Sequence, residues 1–401
     1  MELVGVRRLV FLLLPAALVL PAAAADKVTV QQLEQAVAAA QAKPDKDAAQ
    51  EVGGLELTER LTTARLEKLK TILPGEQSRQ ALLAVADASA FLNLPSADAP
   101  PDATPDAATQ GHIMSLAADF VMATIPKLPN FLATRTTTRF QDMKLTYVFK
   151  EPTFVANQSF QFVDKTSANL LYREGREVVE IERNKNARGP APFQAGSSNW
   201  GVFGPLLGIV MADVLKGKLG WGHWERGAAG PVAVFRYAVA EGKSNYTVRY
   251  CCVMTSDGAM HEFKTVPPYH GEIAVDPKSG TVLRLLVKSD LKPNHEISRA
   301  DVVVEYGPVD IGGKSYICPA RSVSITTARD VVARGIRYTG SIAYYDDIVG
   351  TPTVTSINDV VFGSYHQFRS EMRILPMDSS EQDGNKPADA PGNLPKTPPT
   401  Q

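Results

Sequence analysis

The chain has 401 residues, 44% of them hydrophobic, and its 42 lysines and arginines nearly balance 43 aspartates and glutamates, for a formal net charge of −1. So even a balance supplies no basic field for nucleic acid and none for a charged membrane surface. Three cysteines in this length exclude a disulfide-dense miniature scaffold, and the hydrophobic content supports a real core.

Residues 1–25 carry the grammar of a secretory signal peptide. Arg7 and Arg8 precede a greasy run from Leu9 to Leu20, and Pro21-Ala22-Ala23-Ala24-Ala25 then meets Asp26. Ala23 and Ala25 stand where a signal peptidase needs small side chains. The run is shorter than the about 20 apolar residues of a membrane span, and no transmembrane segment is expected in the mature chain. No cysteine follows the small residues, which argues against a lipid-anchored start. Arg7-Arg8-Leu9-Val10-Phe11 loosely echoes a twin-arginine signal, the alternative export route. The expected location is periplasmic or extracellular.

Residues 26–94 read as a helical bundle segment. Thr29-Val30-Gln31-Gln32 is a capping-box pattern, and Leu33, Ala36, Val37 and Ala40 follow on one face. Leu57, Leu61, Ala64, Leu69 and Ile72 repeat at helical spacing. Pro74-Gly75 breaks the pattern, and Ala81, Val85, Ala88 and Leu92 resume it. Residues 95–110, rich in Ala, Asp and Pro, read as a linker. Ile113, Leu116, Ala117, Phe120, Val121 and Thr124 then predict a helix that Pro126 and Pro129 end.

Residues 111–375 read as that helix plus an antiparallel sheet. The period becomes two: Tyr246, Val248, Tyr250 and Cys252 share one face, Leu283, Leu285 and Val287 another, and Val302, Val304 and Tyr306 a third. Val323 and Ile325 continue the pattern. Arg284, Lys288, Asp301 and Glu305 fall on the opposite, wet face of their strands. Asp257-Gly258, Asp276 to Gly280 and Gly312-Gly313 mark turns. About ten strands at hairpin spacing make a sheet long enough to curl, close or split. One helix interrupts it: Pro205 stands at its first position, Leu206, Ile209, Val210 and Val214 follow, and Gly217 ends it. Residues 376–401 read as a disordered tail. The expected fold class is α+β, an N-terminal helical segment and then a large curled antiparallel β-sheet, half-barrel-like, packed around a helix.

Several phrases carry a resemblance: Gly53-Gly54-Leu55-Glu56-Leu57-Thr58-Glu59-Arg60, Ala86-Asp87-Ala88-Ser89-Ala90-Phe91-Leu92, Tyr269-His270-Gly271-Glu272-Ile273 and Val303-Val304-Glu305-Tyr306-Gly307-Pro308. They resemble a group of exported bacterial proteins without an assigned activity. The sheet with its helix is more distantly similar, in strand count and layout, to the half-barrel of outer-membrane lipoprotein carriers. Neither resemblance brings catalytic residues with it, and likeness of fold does not assign function.

Motifs that carry chemistry are mostly absent from the sequence. Gly196-Ser197-Ser198-Asn199-Trp200 misses the nucleophile elbow, and His261-Glu262 and His295-Glu296 lack the second histidine of a zinc-protease helix. Gly220-Trp221-Gly222 lacks the third glycine of a dinucleotide turn. His112, His223, His261, His270, His295 and His366 show no ligand spacing, although His261, His270 and Asp276 would converge if their strands were neighbours. Asp346 and Asp347 are adjacent in a strand and so point to opposite faces. No catalytic residue, metal site or cofactor is expected.

Cys251 and Cys252 also face opposite ways, and Cys252 shares the apolar face of Tyr246 and Tyr250. A Cys252–Cys318 disulfide is the favoured pairing and would close a loop of roughly 65 residues, worth ~4 kcal/mol on the chain-entropy model. Three buried free thiols are the alternative. Trp200, Phe203, Trp221 and Trp224 bracket the greasy helix, so these four with Leu206 and Val210 form the candidate wall of a site for a lipid or acyl chain. Large aromatics filling the gap under the helix are the plainer reading. The functional expectation is an exported, non-enzymatic binding protein of the bacterial cell envelope, with an apolar small molecule or an envelope protein as partner and no nucleic acid. A structural or assembly partner of the envelope, and a secreted hydrolase with a non-standard site, are the rivals.

Overall fold

The computed structural model describes residues 26–100, 102–148, 151–180, 196–197, 205–254, 260–329, 336–339, 342–345 and 353–368. The described residues up to Phe368 form one compact unit. The signal-peptide segment, the Asp257-Gly258 turn, the Asp346-Asp347 pair and the 376–401 tail lie outside the described residues.

Strand β1 (Asp26–Val28) leads into α1 (Val30–Ala40), whose expected capping box is formed. The Thr29 hydroxyl accepts from the Gln32 amide at 3.3 Å, and the Gln32 side chain accepts from the Thr29 amide at 2.8 Å. The helix buries Val30, Leu33, Val37 and Ala40. After α2 (Asp45–Gly53), β2 (Leu55–Leu57) pairs in parallel with β1. This corrects the expected placement of Leu57 on a helix. Gly54 caps α2, Leu55-Glu56-Leu57 runs extended, and α3 (Thr63–Ile72) starts only where the Thr62 hydroxyl accepts from the Arg65 amide.

Helix α4 (Glu76–Ser89) is covered on two sides. Leu82, Val85 and Ala86 pack among the N-terminal helices, whereas Ala84 packs with Phe91, Leu286, Val303, Val323 and Ile325 on the sheet. The segment expected as a linker makes several contacts through its described residues. It contains a 3₁₀ turn at Ser96–Asp98, Arg65 donates to Asp98, and Trp224 Nε1 donates to the Ala103 carbonyl at 2.9 Å. Asp106 caps α5 (Ala107–Thr124), accepting from the Thr109 amide at 2.7 Å, and Ile113, Ala117 and Val121 are its buried stripe.

The rest of the chain is mostly strand: β3 (Phe131–Val148), β4 (Glu151–Arg173), β5 (Arg176–Glu180), β6 (Gly196–Ser197), then α6 (Pro205–Val214). Next come β7 (Lys218–Gly227), β8 (Gly230–Val239), β9 (Val248–Met254), β10 (Met260–Thr265), β11 (Tyr269–Val275) and β12 (Val282–Ser289). The series ends with β13 (Ile297–Ile311), β14 (Lys314–Arg329), β15 (Ile336–Thr339), β16 (Ile342–Tyr345) and β17 (Thr353–Gln367). Ten strands form one antiparallel sheet in the order β5-β4-β3-β17-β14-β13-β12-β11-β8-β7. Strands β10, β9 and β6 form a small separate sheet, and β15 pairs with β16. Among the described residues the large sheet is open, with β5 and β7 as its edges.

Both faces of the central strands are covered, which corrects the expected wet face. Leu285 and Val287 pack with Val210 of α6 and Ala117 of α5, while Leu286 between them packs with Ala84 and Phe91. The sheet is therefore a middle layer, with α1–α4 on one side and α5 and α6 on the other. Pro205 opens α6 as expected, and the Gly217 amide bonds the Val214 carbonyl at 3.1 Å. At the β11–β12 turn Gly280 has φ +73°, and a Cβ there would lie 2.3 Å from the backbone of Leu116. Only glycine lets that turn abut α5.

Candidate functional site

Leu206 and Val210 are buried in the core that α5, α6 and the sheet share. Trp221 and Trp224, on edge strand β7, are half-buried against the same core with their rings edge-on at 4.9 Å. Trp221 also meets Phe235 at 5.4 Å. Trp200 and Phe203 lie outside the described residues. A depression of about 420 Å³ beside α6 is lined by Ile125, Pro205, Gly208 and Ile209, not by the tryptophans. Buried Asp213 fixes the helix, accepting from Tyr269 Oη at 3.0 Å and from the Asn245 amide at 2.7 Å.

Cys318 is a free, buried thiol, so the favoured Cys252–Cys318 bridge is not made. Cys251 is disulfide-bonded, and the Cys252 side chain lies outside the described residues. Cys318 is enclosed in the main core on β14, and burial pushes its thiol up to about 12. His261 and His270 do not share a site: the first faces Glu296 at 3.1 Å and the second Asp290 at 2.9 Å.

Among the described residues the densest polar chemistry lies on the other face of the sheet, under the helical layer. Glu225 on β7 is its first hub. Arg284 binds it with two parallel bonds, Nη1 at 2.7 Å and Nη2 at 2.8 Å, and Arg60 Nη2 and His223 Nε2 reach the same carboxylate at 2.7 and 2.9 Å. Burial would raise the Glu225 carboxyl, but the His223 and Arg284 bonds and the two guanidinium charges outweigh it and hold it far below the usual range. The second hub is Arg321 on β14, shared between Asp359 (2.7 Å) and Asp87 of α4. Burial, only partly offset by Arg321 and reinforced by Asp359, raises Asp87 well above an ordinary aspartate. Between the hubs Thr63 Oγ1 lies 2.9 and 3.0 Å from the two Glu305 oxygens. A cavity of about 320 Å³ opens among these groups.

A second cleft, of about 360 Å³, lies between α4 and β2 on one side and the sheet on the other. Leu55, Leu57, Ala84, Val85, Ala88, Leu92, Phe160 and Ile325 make it largely apolar, and Glu56, Asp142 and Arg299 add charge. Leu92, 37% exposed, leaves apolar surface open there.

The strand period by itself assigns Arg284 and Glu305 to a solvent face and says nothing of Arg60, Asp87, Glu225 or Arg321. The available signal is a charge set inside an apolar run, as in Leu283-Arg284-Leu285-Leu286 and Ala84-Val85-Ala86-Asp87-Ala88. Such a charge needs a buried partner when both faces are covered. No protein-family model, curated protein or solved structure matches the chain.

Proposed function

We propose that this chain is an exported, non-enzymatic binding protein of the cell envelope, and that its ligand is apolar, a lipid or acyl chain. The observation that carries the reading is the cleft between α4 and the sheet, lined by Leu57, Ala84, Ala88, Phe160 and Ile325. An acyl chain burying about 300 Å² there gains roughly 7 kcal/mol at ~25 cal/mol per Å², before the cost of ordering it. Export rests on the residue 1–25 pattern. The half-barrel reading of the sheet belongs to the same proposal; its support is an open antiparallel sheet with α6 packed on one face.

Native mass spectrometry with dodecanoate and hexadecanoate tests the reading. The expected result is a one-to-one adduct that Ala88→Phe, which fills the cleft, abolishes without lowering the thermal midpoint by more than a few degrees. An absence of adduct with either fatty acid, or an adduct indifferent to Ala88→Phe, overturns it.

A further inference from the structure

The charged cavity is built with two unlike ends. On one side two buried guanidiniums, Arg60 and Arg284, share the Glu225 carboxylate. The next carboxylate, Glu272, is 3.8 Å from Arg284 and is also engaged by Arg236 at 3.2 Å, so positive charge remains in excess. On the other side two carboxylates, Asp87 and Asp359, share the single guanidinium of Arg321, and negative charge remains in excess. Glu305 stands between. In register it faces Arg284 on β12 and Arg321 on β14, yet no basic side chain lies within 4.0 Å of it among the described residues. The Thr63 hydroxyl is its hydrogen-bond partner.

Both ends hold unused hydrogen-bonding capacity. Asp87 is 1% exposed and its Oδ2 has no partner; Arg284 Nε is likewise buried and without one. Arg60, at 6% exposure, gives only Nη2 to Glu225. A buried polar group left this way is costly, so the cavity favours a ligand that brings charge of the opposite sign to each end. A lone anion would answer the arginines and leave Glu305 and Asp87 unmet; a lone cation would do the reverse.

We propose that this cavity binds a small zwitterion, an amino-acid-like molecule whose carboxylate lies toward Arg60 and Arg284 and whose ammonium lies toward Glu305 and Asp87. The inference is independent of the acyl-chain reading, which concerns the other cleft.

Calorimetric titration of the full chain with glycine, 4-aminobutanoate and 6-aminohexanoate, against butanoate and butylamine, tests it. At least one zwitterion is expected to bind tenfold or more tightly than both single-charge controls. Glu305→Gln is expected to weaken that zwitterion at least tenfold while leaving the hexadecanoate adduct in place. Arg60→Lys, which keeps the charge and loses the planar fork, is the second variant and is expected to weaken the zwitterion severalfold without changing butylamine. Equal binding of butanoate makes the cavity a plain anion site, and equal binding of butylamine a plain cation site; either overturns the proposal. So does silence from all three zwitterions.

Discussion

Arg60 and Glu225, 165 residues apart in sequence, meet at 2.7 Å where the helical layer crosses edge strand β7. Their side chains are 7% and 9% exposed, so the contact is an interior one. It belongs to a set of polar ties, with Thr63–Glu305 and Asp87–Arg321, that join the helices to the sheet beside the apolar contact of Ala84 and Phe91.

Removing one partner from such an interior cluster should cost far more than removing one from the surface. Glu225→Gln strips the carboxylate from two buried guanidiniums and is expected to lower the unfolding free energy by about 3–5 kcal/mol. Arg236→Ala removes an arginine whose side chain is 57% exposed, and its loss is expected to stay within about 1 kcal/mol. Urea unfolding of both variants makes the comparison. A small effect of Glu225→Gln would mean that the cluster does not fasten the layers.

The two hubs should respond to pH with opposite sign. Glu225 is held low, so its stabilisation is present above the ordinary glutamate value, about 4.3, and is lost as pH falls below it. Asp87 is raised, so its contribution is present below the ordinary aspartate value, about 3.9, and is lost as pH rises through its higher folded value. Asp87→Asn is therefore expected to gain stability relative to wild type as pH rises above about 4. Thermal midpoints measured across that range check it; a difference that moves the other way refutes the assignment.

Cys318 should behave as a masked thiol. In native protein at neutral pH, burial keeps it protonated and out of reach of iodoacetamide. In denaturant without reductant, peptide mapping should find Cys318 alkylated. A Cys318 that resists alkylation until reductant is added would restore the bridge that the structure lacks.

Core truncation should separate the sheet's interior from its surface. Leu285→Ala, at a fully buried site on β12, is expected to cost about 2–5 kcal/mol. Leu215→Ala, at a side chain 80% exposed, is expected to fall within about 0.5 kcal/mol. Chemical denaturation of the pair reads the difference directly.

Local rules made much of this molecule legible. The Thr29–Gln32 box, Pro205 at the head of α6, and the turns at Gly280 and Gly312-Gly313 are short-range features, and each is found where the residues predict it. Leu57 escapes such rules, because its strand is held by β1, a segment about thirty residues earlier that local spacing does not reveal. The site was less legible still. Arg284 and Glu305 obey the strand period, but that period tells which face a residue takes and not what lies above it. The helices covering that face come from before Leu92, and no rule of neighbouring residues joins Asp87 to Arg321 or Arg60 to Glu225.

A sheet that stops without closing presents its raw margins to any passing strand. Here one margin is β5, a short run that begins Arg176-Glu177, and the other is β7, whose pairing with β8 slips between Trp221 and His223. Charge on the first and a kink in the second both discourage the stacking of one molecule's margin on another's. Both features blunt margins that would otherwise template a second strand.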